Sequence, residues 1–493
     1  MIVENLAALQ VVVPLIAAPL IVLVRRGAFA WAMAMAASAA SLAIAVALLL
    51  QVRDVGVISY AFGSWAPPWG IEYRVDVTNA FVLVLVGLLA TVGGPYAWRS
   101  LAAEVPEEQH YLAYAMFCLC LAGLLGITIT GDAFNLFVFL EIASLASYVL
   151  IALGRNRRAL VAAYQYLIVG TIGATLYVIG VGLLFLMTGT LNLHDLAGRV
   201  GELSGTRPVL AALAFITVGI CLKLALFPLH FWLPNAYAYA PSVVSAFLAG
   251  TATKVSIYVL LRFYFTIFGK SAIFDTLPMG EIFLVLSIAA MFVASAGAAF
   301  QDNLKHMLAY SSLGQIGYIT LGISLANQTA VTGSVVHLFN HGITKTALFL
   351  LAGGIWFRLR SVRFVDCAGL ARRMPLTCAG IVIGGLSLIG VPATAGFITK
   401  WYLVLGAIEA GDWWIAFLPV VSSLIAVWYM WRFVEAAYLR EPSAAIADVK
   451  EAPAVLLVPA LLLVVLVVYF GLDTSFTIGT ASRAAAALLT GTP

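Results

Sequence analysis

Charge is the scarcest thing in this sequence. Only 10% of its 493 residues are charged, 26 Lys and Arg against 22 Asp and Glu, where a soluble protein carries about 25%. A 52.4 kDa globule cannot solvate its surface with so few, so a water-soluble enzyme, a disordered chain and a fibrous protein are all excluded. Cysteine is scarce too. Cys118, Cys120, Cys221, Cys367 and Cys378 form no CxxC pair and mostly lie in apolar runs, so no disulfide framework, metal site or iron–sulfur centre is expected. There is no GxGxxG and no P-loop, which speaks against a catalytic redox subunit and against flavin or nucleotide chemistry. The opening Met1-Ile-Val-Glu4 lacks a basic n-region, so the first apolar run reads as a retained span rather than a cleaved signal.

What is present is apolar length. Hydrophobic residues make up 63% of the chain and the mean hydropathy is +1.05, the composition of an all-α polytopic membrane protein. A span needs about 20 apolar residues. On that rule fourteen spans fall near 5–24, 28–51, 76–97, 111–130, 133–153, 161–188, 208–236, 242–268, 280–300, 305–325, 329–357, 376–408, 414–439 and 453–471. Between spans 2 and 3, Val57 to Asp76 alternates around Trp65-Ala-Pro-Pro-Trp-Gly70, which predicts a small interfacial β-hairpin with tryptophans at headgroup level. The net charge of +4 is spread over short loops and says nothing of nucleic acid.

Loop charges orient the spans. With the N-terminus outside, the inward loops hold fourteen cations, in clusters such as Arg155, Arg157 and Arg158 or Arg358, Arg360 and Arg363, while the outward segments hold six. The positive-inside rule then places both termini away from the cytoplasm. Spans 208–236, 329–357 and 376–408 are too long to run straight through a ~30 Å core. Two of them carry breakers, Pro228 and Gly390-Val-Pro392. Spans 4–8 (111–268) and 9–13 (280–439) have nearly equal lengths, 158 and 160 residues, each with a broken helix in fourth place. Five is odd, so the second block enters from the opposite side. Paired broken helices 7 and 12 in two inverted five-helix repeats point to a transport site between the blocks. The expected organisation is three N-terminal helices with the hairpin (1–110), the two repeats, and a C-terminal helix and tail (440–493).

Six cations fall inside spans: Lys223, Lys254, Arg262, Lys345, Lys400 and Arg432. The two arginines sit close enough to span ends to snorkel, and Arg432 can pair with Glu435 at i,i+3. Each lysine lies roughly 10–25 Å along its helix, where insertion costs at least ~2.5 kcal/mol. Structural ion pairing does not account for four of them, because Glu141 is the only carboxylate clearly inside a span. A buried acid and base are coupled titrating groups, so drawing them together or apart converts a helix movement into a proton transfer. Span 11 reads His337-Leu-Phe-Asn-His341-Gly-Ile-Thr-Lys345, which stacks three ionisable groups on one face. Histidine relays protons near neutrality. A zinc reading of His337 and His341 lacks the HExxH glutamate and a third ligand. His230, just past Pro228, suits a relay or a structural hydrogen bond equally. Tyr310, Ser311, Ser312 and Gln315 suit a water-holding route or polar helix packing equally.

Four motifs in this order, Phe227-Pro-Leu-His-Phe-Trp-Leu-Pro234, Lys305-His-Met-Leu-Ala-Tyr-Ser-Ser312, His337-xxx-His341-xxx-Lys345 and Gly396-Phe-Ile-Thr-Lys400, resemble the antiporter-like membrane subunits. These are shared by respiratory complex I, membrane-bound hydrogenases and Mrp-type cation/proton antiporters. The resemblance runs from about Asp76 to Glu435. It implies fourteen helices with inverted repeats and a lateral, hydrated proton path. Glu141 and Lys223 would be its first charge pair, Lys254 and the span-11 residues its bridge, and Lys400 its distal lysine. Asn235 and Tyr237 after Leu-Pro are similar to the D-type protein of Mrp antiporters, whereas complex I subunits usually place Asp and His there. The expected function is therefore a proton-translocating, Mrp D-like subunit of a multisubunit cation/proton antiporter. The alternative is a proton-pumping subunit of a complex I-type quinone reductase or a membrane-bound hydrogenase, and only in the complex I-like case would it belong to a translocating enzyme. Other membrane subunits, protons and Na+ or K+ are the implied partners, and a bacterial or archaeal cytoplasmic membrane the implied location. No cofactor is expected.

Overall fold

The structure, a computed structural model, describes residues 3–442 and 446–491. Met1 and Ile2, which precede the expected first span, lie outside the described residues. The chain opens with α1 (Leu6–Val24) and α2 (Gly27–Val55), then the hairpin β1 (Ile58–Ala61) and β2 (Glu72–Val75). The strands pair antiparallel with Ile58 opposite Val75, and Trp65 and Trp69 stand exposed at the tip as the turn chemistry predicts. Then come α3 (Val77–Glu104), α4 (His110–Ile129), α5 (Ala133–Ala152), α6 (Arg157–Thr188), α7 (Leu193–Leu203), α8 (Arg207–Leu224), α9 (Leu233–Tyr239) and α10 (Ser242–Leu261). The second half holds α11 (Met279–Ala289), α12 (Ser295–Ala299), α13 (Leu304–Leu325), α14 (Gln328–Leu359), α15 (Pro375–Ile389), α16 (Ala395–Glu409), α17 (Trp413–Val434), α18 (Ala454–Leu472) and α19 (Ser475–Thr490).

Twelve of the described helices are long and apolar enough to cross a membrane. The apolar runs predict fourteen; the two predicted spans outside this count are the more polar α13 and the broken pair α15–α16. Both expected breaks are present. Pro228 lies in the turn between α8 and α9, and Gly390 closes α15 in a left-handed conformation (φ +89°). The third long span does not break: α14 is continuous over 32 residues, having no proline or strained residue to interrupt its hydrogen-bond ladder. Two helices had no counterpart among the predicted spans. They are α7 and α19, short amphipathic helices that lack the apolar length for a crossing. Polar caps set the starts: Asp76 makes a capping box with Asn79 at α3, Asp132 caps α5 and Asn303 caps α13.

The two ends of the bundle differ. One carries the hairpin, α7 and α19; Arg53 donates to Thr480 there (2.9 Å). The other gathers Arg155, Arg158, Arg360 and Arg363 around one cavity. We refer to them as the hairpin face and the arginine-rich face. The most buried crossings are α10 and α14, which pack against each other through Gly250 and Gly342. A Cβ on Gly342 would stand 2.9 Å from the Gly250 carbonyl oxygen, so only glycine permits this close approach. A helix buried on all sides is ordinarily apolar all round. These two instead bury Lys254, His337, Asn340, His341 and Lys345, and their crossing brings those groups together at the centre of the molecule.

Candidate functional site

Glu141 and Lys223, the pair that the resemblance implies, stand side by side. Lys223 occupies the last turn of α8, where a cation favours the negative end of the helix dipole. Its Nζ lies 3.5 Å from Glu141 Oε1 on α5 and donates to Ser144 Oγ, one turn further along α5 (2.7 Å). The lysine is buried, whereas the Glu141 side chain is 26% exposed. The carboxylate therefore reaches the outer wall of the bundle, and its Oε1 has no hydrogen bond among the described residues.

The central lysines have no carboxylate partner among the described residues; carbonyls and hydroxyls hold them. Lys254 Nζ donates to Ala249 O (2.5 Å) and Thr253 Oγ1 (3.3 Å). Lys345 Nζ donates to Leu308 O (2.8 Å) and Ser311 Oγ (2.5 Å) on α13. An ammonium has three protons to place, so each of these two keeps one donor for a transferable partner. The histidines precede Lys345 on α14 by one and two turns. The His337 and His341 rings stack with centroids 5.2 Å apart and planes 2° from parallel. His337 Nδ1 lies 3.0 Å from Thr399 Oγ1. His337 Nε2, both nitrogens of His341 and Asn340 Oδ1 are buried without a hydrogen-bond partner among the described residues. Such a run of unpaired polar atoms has the lining that ordered water needs. Lys254, Lys345 and Lys400 all lie within electrostatic reach of His337.

Lys400 closes the row. From α16 its side chain folds back over the break to the end of α15. There Nζ donates to Leu388 O (3.1 Å), Ile389 O (2.6 Å) and Ser423 Oγ of α17 (2.6 Å), and it stands 4.7 Å from the centre of the Tyr318 ring. The carbonyls that a break ordinarily exposes are thus held by the ammonium itself. Gln315 Nε2 donates to the same Leu388 oxygen (3.2 Å). Ser311 and Gln315, one turn apart on α13, thus stand at the Lys345 and Lys400 sites respectively.

Other expectations need correction. His230 stacks on Phe227 in the turn after α8. Its Nδ1 has no hydrogen-bond partner among the described residues, and this stacking does not join it to the lysines. Arg262 does not snorkel: it is buried and ion-paired with Asp76 at the start of α3. Arg432 pairs with Asp302 (2.9 Å), and Glu435 pairs with Arg440 (3.0 Å) instead. Lys305 is no loop residue. It is 4% exposed and donates to Ser242 Oγ (3.0 Å), while the buried Glu104 carboxylate accepts from Ser242 N (3.0 Å). Sequence reading passed over Asp76 and Glu104 because they stand at span ends, where carboxylates normally meet water. No group of three His, Cys, Asp or Glu side chains suited to a metal forms among the described residues.

The chain is similar to known proteins. Residues 130–426 match the family model described as NADH:quinone oxidoreductase/Mrp antiporter, TM. The chain is 44% identical over 425 residues to the N-type subunit of the NADH-quinone oxidoreductase of Desulforudis audaxviator, covering 84% of each chain. It is 31% identical over 422 residues to the D-type subunit of the Na(+)/H(+) antiporter of Alkalihalophilus pseudofirmus, covering 86% of this chain and 84% of the relative. Among solved structures, a chain of the Mrp complex from a Dietzia species superposes with a TM-score of 0.91 at 28% identity, covering 100% of this chain and 98% of that one. The chain belongs to the membrane-subunit family common to NADH:quinone oxidoreductases and Mrp antiporters.

Proposed function

We propose that the chain is a proton-translocating subunit of a multisubunit cation/proton antiporter, similar to Mrp D, and that it works within a bacterial or archaeal cytoplasmic membrane. One observation carries this reading. Three buried lysines, Lys254, Lys345 and Lys400, lie within electrostatic reach of His337, which stacks on His341. Hydrogen-bonding capacity is left unused at both histidines, and a fourth buried lysine, Lys223, is paired with the part-exposed Glu141. Buried ionisable groups at bilayer depth mark ion and proton pathways. In this reading the arginine-rich face is cytoplasmic and both termini face away from it. The chain divides into three leading helices (1–110), two inverted repeats (111–268 and 280–439) and a C-terminal part (440–493).

Glu141 and Lys223 load the route, and Lys254, His341 and Lys345 pass the proton on, with His337 stacked beside His341. Lys400, beyond the break, releases it toward the hairpin face. Neighbouring ammonium groups disfavour each other's charge, so protonation at Lys345 favours release at Lys400. The part-exposed Glu141 takes its proton from a neighbouring subunit, which makes a hetero-oligomer the working unit. A second reading, the proton-pumping subunit of a complex I-like quinone reductase, is favoured by the 44% identity to a relative named as the N-type subunit of such an enzyme.

Co-purification decides between them. Affinity capture of the tagged chain from its native membranes should bring down a set of Mrp subunits, and purified alone in liposomes the chain should exchange no cation for protons. Co-purifying quinone-reductase subunits would select the second reading. Robust exchange by the lone chain would refute the need for partners.

A further inference from the structure

The buried ion pair at the hairpin end of α10 has no place in the row just described, and its surroundings are not those of a structural pair alone. Thr251, Lys254, Tyr258 and Arg262 follow one another at spacings of three, four and four residues, so they share one stripe of α10. Arg262 Nε donates to Tyr258 Oη (3.0 Å) and its guanidinium lies 5.2 Å from the Tyr258 ring centre. Its Nη2 binds Asp76 Oδ2, while Asp76 Oδ1 caps α3 through Thr78 N (2.8 Å). The pair is thereby tied to two helices. At Arg262 the α-helical ladder of α10 widens into a π-helical stretch over Arg262–Ile267, a distortion frequent at functional sites. The pair lines a small cavity of about 40 Å³, to which Asn79, Tyr258, His194 and Thr266 also contribute beside apolar neighbours such as Leu193 and Ile267. This cavity shares His194 and Thr266 with a larger cavity of about 740 Å³ on the hairpin face. Thr266 Oγ1 is buried without a hydrogen-bond partner among the described residues, which gives the cavity one open polar anchor for water.

We propose that Asp76 and Arg262 form a gate between this vestibule and Lys254, giving protons access to the centre of the molecule from the hairpin face along α10, without passage through Lys400. With the gate closed, the guanidinium fills the neck and its positive charge repels hydronium. With Arg262 swung away from Asp76, water from the vestibule reaches Tyr258, the residue one turn of α10 beyond Lys254 on the same stripe, and continues along that stripe toward the lysine. One proton then passes from a vestibule water to the free amine of Lys254, and no other bond changes. The inference rests on the reading of the chain as a proton carrier.

The test uses membrane vesicles from cells producing the chain with its native partner subunits, and measures how fast an imposed ΔpH decays without the exchanged cation. Asp76→Asn should raise the decay at least about threefold in assembled complex. Adding Lys254→Met should restore the wild-type rate, whereas adding Lys400→Arg should leave the leak in place. Tyr258→Phe, which removes one hydroxyl from below the gate, should leak in the same Lys254-dependent way but less, and it decides the matter if Asp76→Asn fails to assemble. An assembled Asp76→Asn or a Tyr258→Phe complex that is as tight as wild type would overturn the gate. So would a leak that survives Lys254→Met or disappears with Lys400→Arg. Glu141→Gln separates the two claims: lost transport in that variant together with tight Asp76→Asn and Tyr258→Phe vesicles refutes the gate alone, while normal transport in it refutes the proton-carrier reading.

Discussion

Lys400 Nζ donates to the carbonyl oxygen of Leu388 (3.1 Å) across the break between α15 and α16. The contact makes one side chain both the cap of a broken helix and the last basic group of the buried row. With Ile389 O and Ser423 Oγ it uses all three ammonium protons, so releasing a proton from Lys400 means giving up one of these bonds. In the proposed route, helix geometry and proton release are therefore coupled at this residue.

That coupling gives a prediction for Lys400→Arg. A guanidinium offers enough donors to keep the α15 carbonyls satisfied, but it stays charged at any working pH. The variant should assemble with a melting temperature within a few degrees of wild type in detergent, while ΔpH-driven transport in vesicles falls at least about tenfold. Transport at the wild-type rate would exclude release through Lys400.

Gly390 should prove equally sensitive. Its φ of +89° disfavours any L side chain, and an added Cβ would stand 2.6 Å from Lys400 Cδ. Gly390→Ala should cost about 1–2 kcal/mol in backbone strain and displace the lysine from the helix end. We expect assembled complex with transport reduced several-fold. The same change at Gly182, where an added Cβ meets nothing within 4 Å, should leave transport intact. Equal activity of Gly390→Ala and Gly182→Ala would show that the position of the Lys400 side chain is immaterial.

Much of this was legible before the fold. The many-helix membrane fold, the hairpin, the two breaks and the Glu141–Lys223 contact follow from apolar length, turn chemistry and the cost of a buried charge. Those signals are local. What escaped them depends on which helices meet. Asp76 and Arg262 are 186 positions apart, and only the packing of α3 against α10 pairs them. Lys305 reads as a loop cation until α13 is seen to begin beneath the Glu104 carboxylate. The stacking of His337 on His341 follows from their spacing, but the Thr399 contact comes from α16, which no periodicity on α14 announces. Arg432 shows the converse. Its i,i+3 neighbour Glu435 was within reach, yet Asp302 and the carbonyls of Ala299 and Gln301 took the guanidinium, because a loop brought several acceptors to it at once.

The central claim, that protons travel the buried row beginning at Glu141 and Lys223, is tested most directly by ΔpH-driven cation exchange in vesicles carrying the assembled complex with Glu141→Ala or, separately, Lys223→Ala. Removing either partner takes away half of a coupled acid–base pair and leaves the rest of the bundle in contact. The account predicts that each variant inserts, assembles with its partner subunits and loses proton-coupled exchange. Exchange at the wild-type rate in either assembled variant would contradict it.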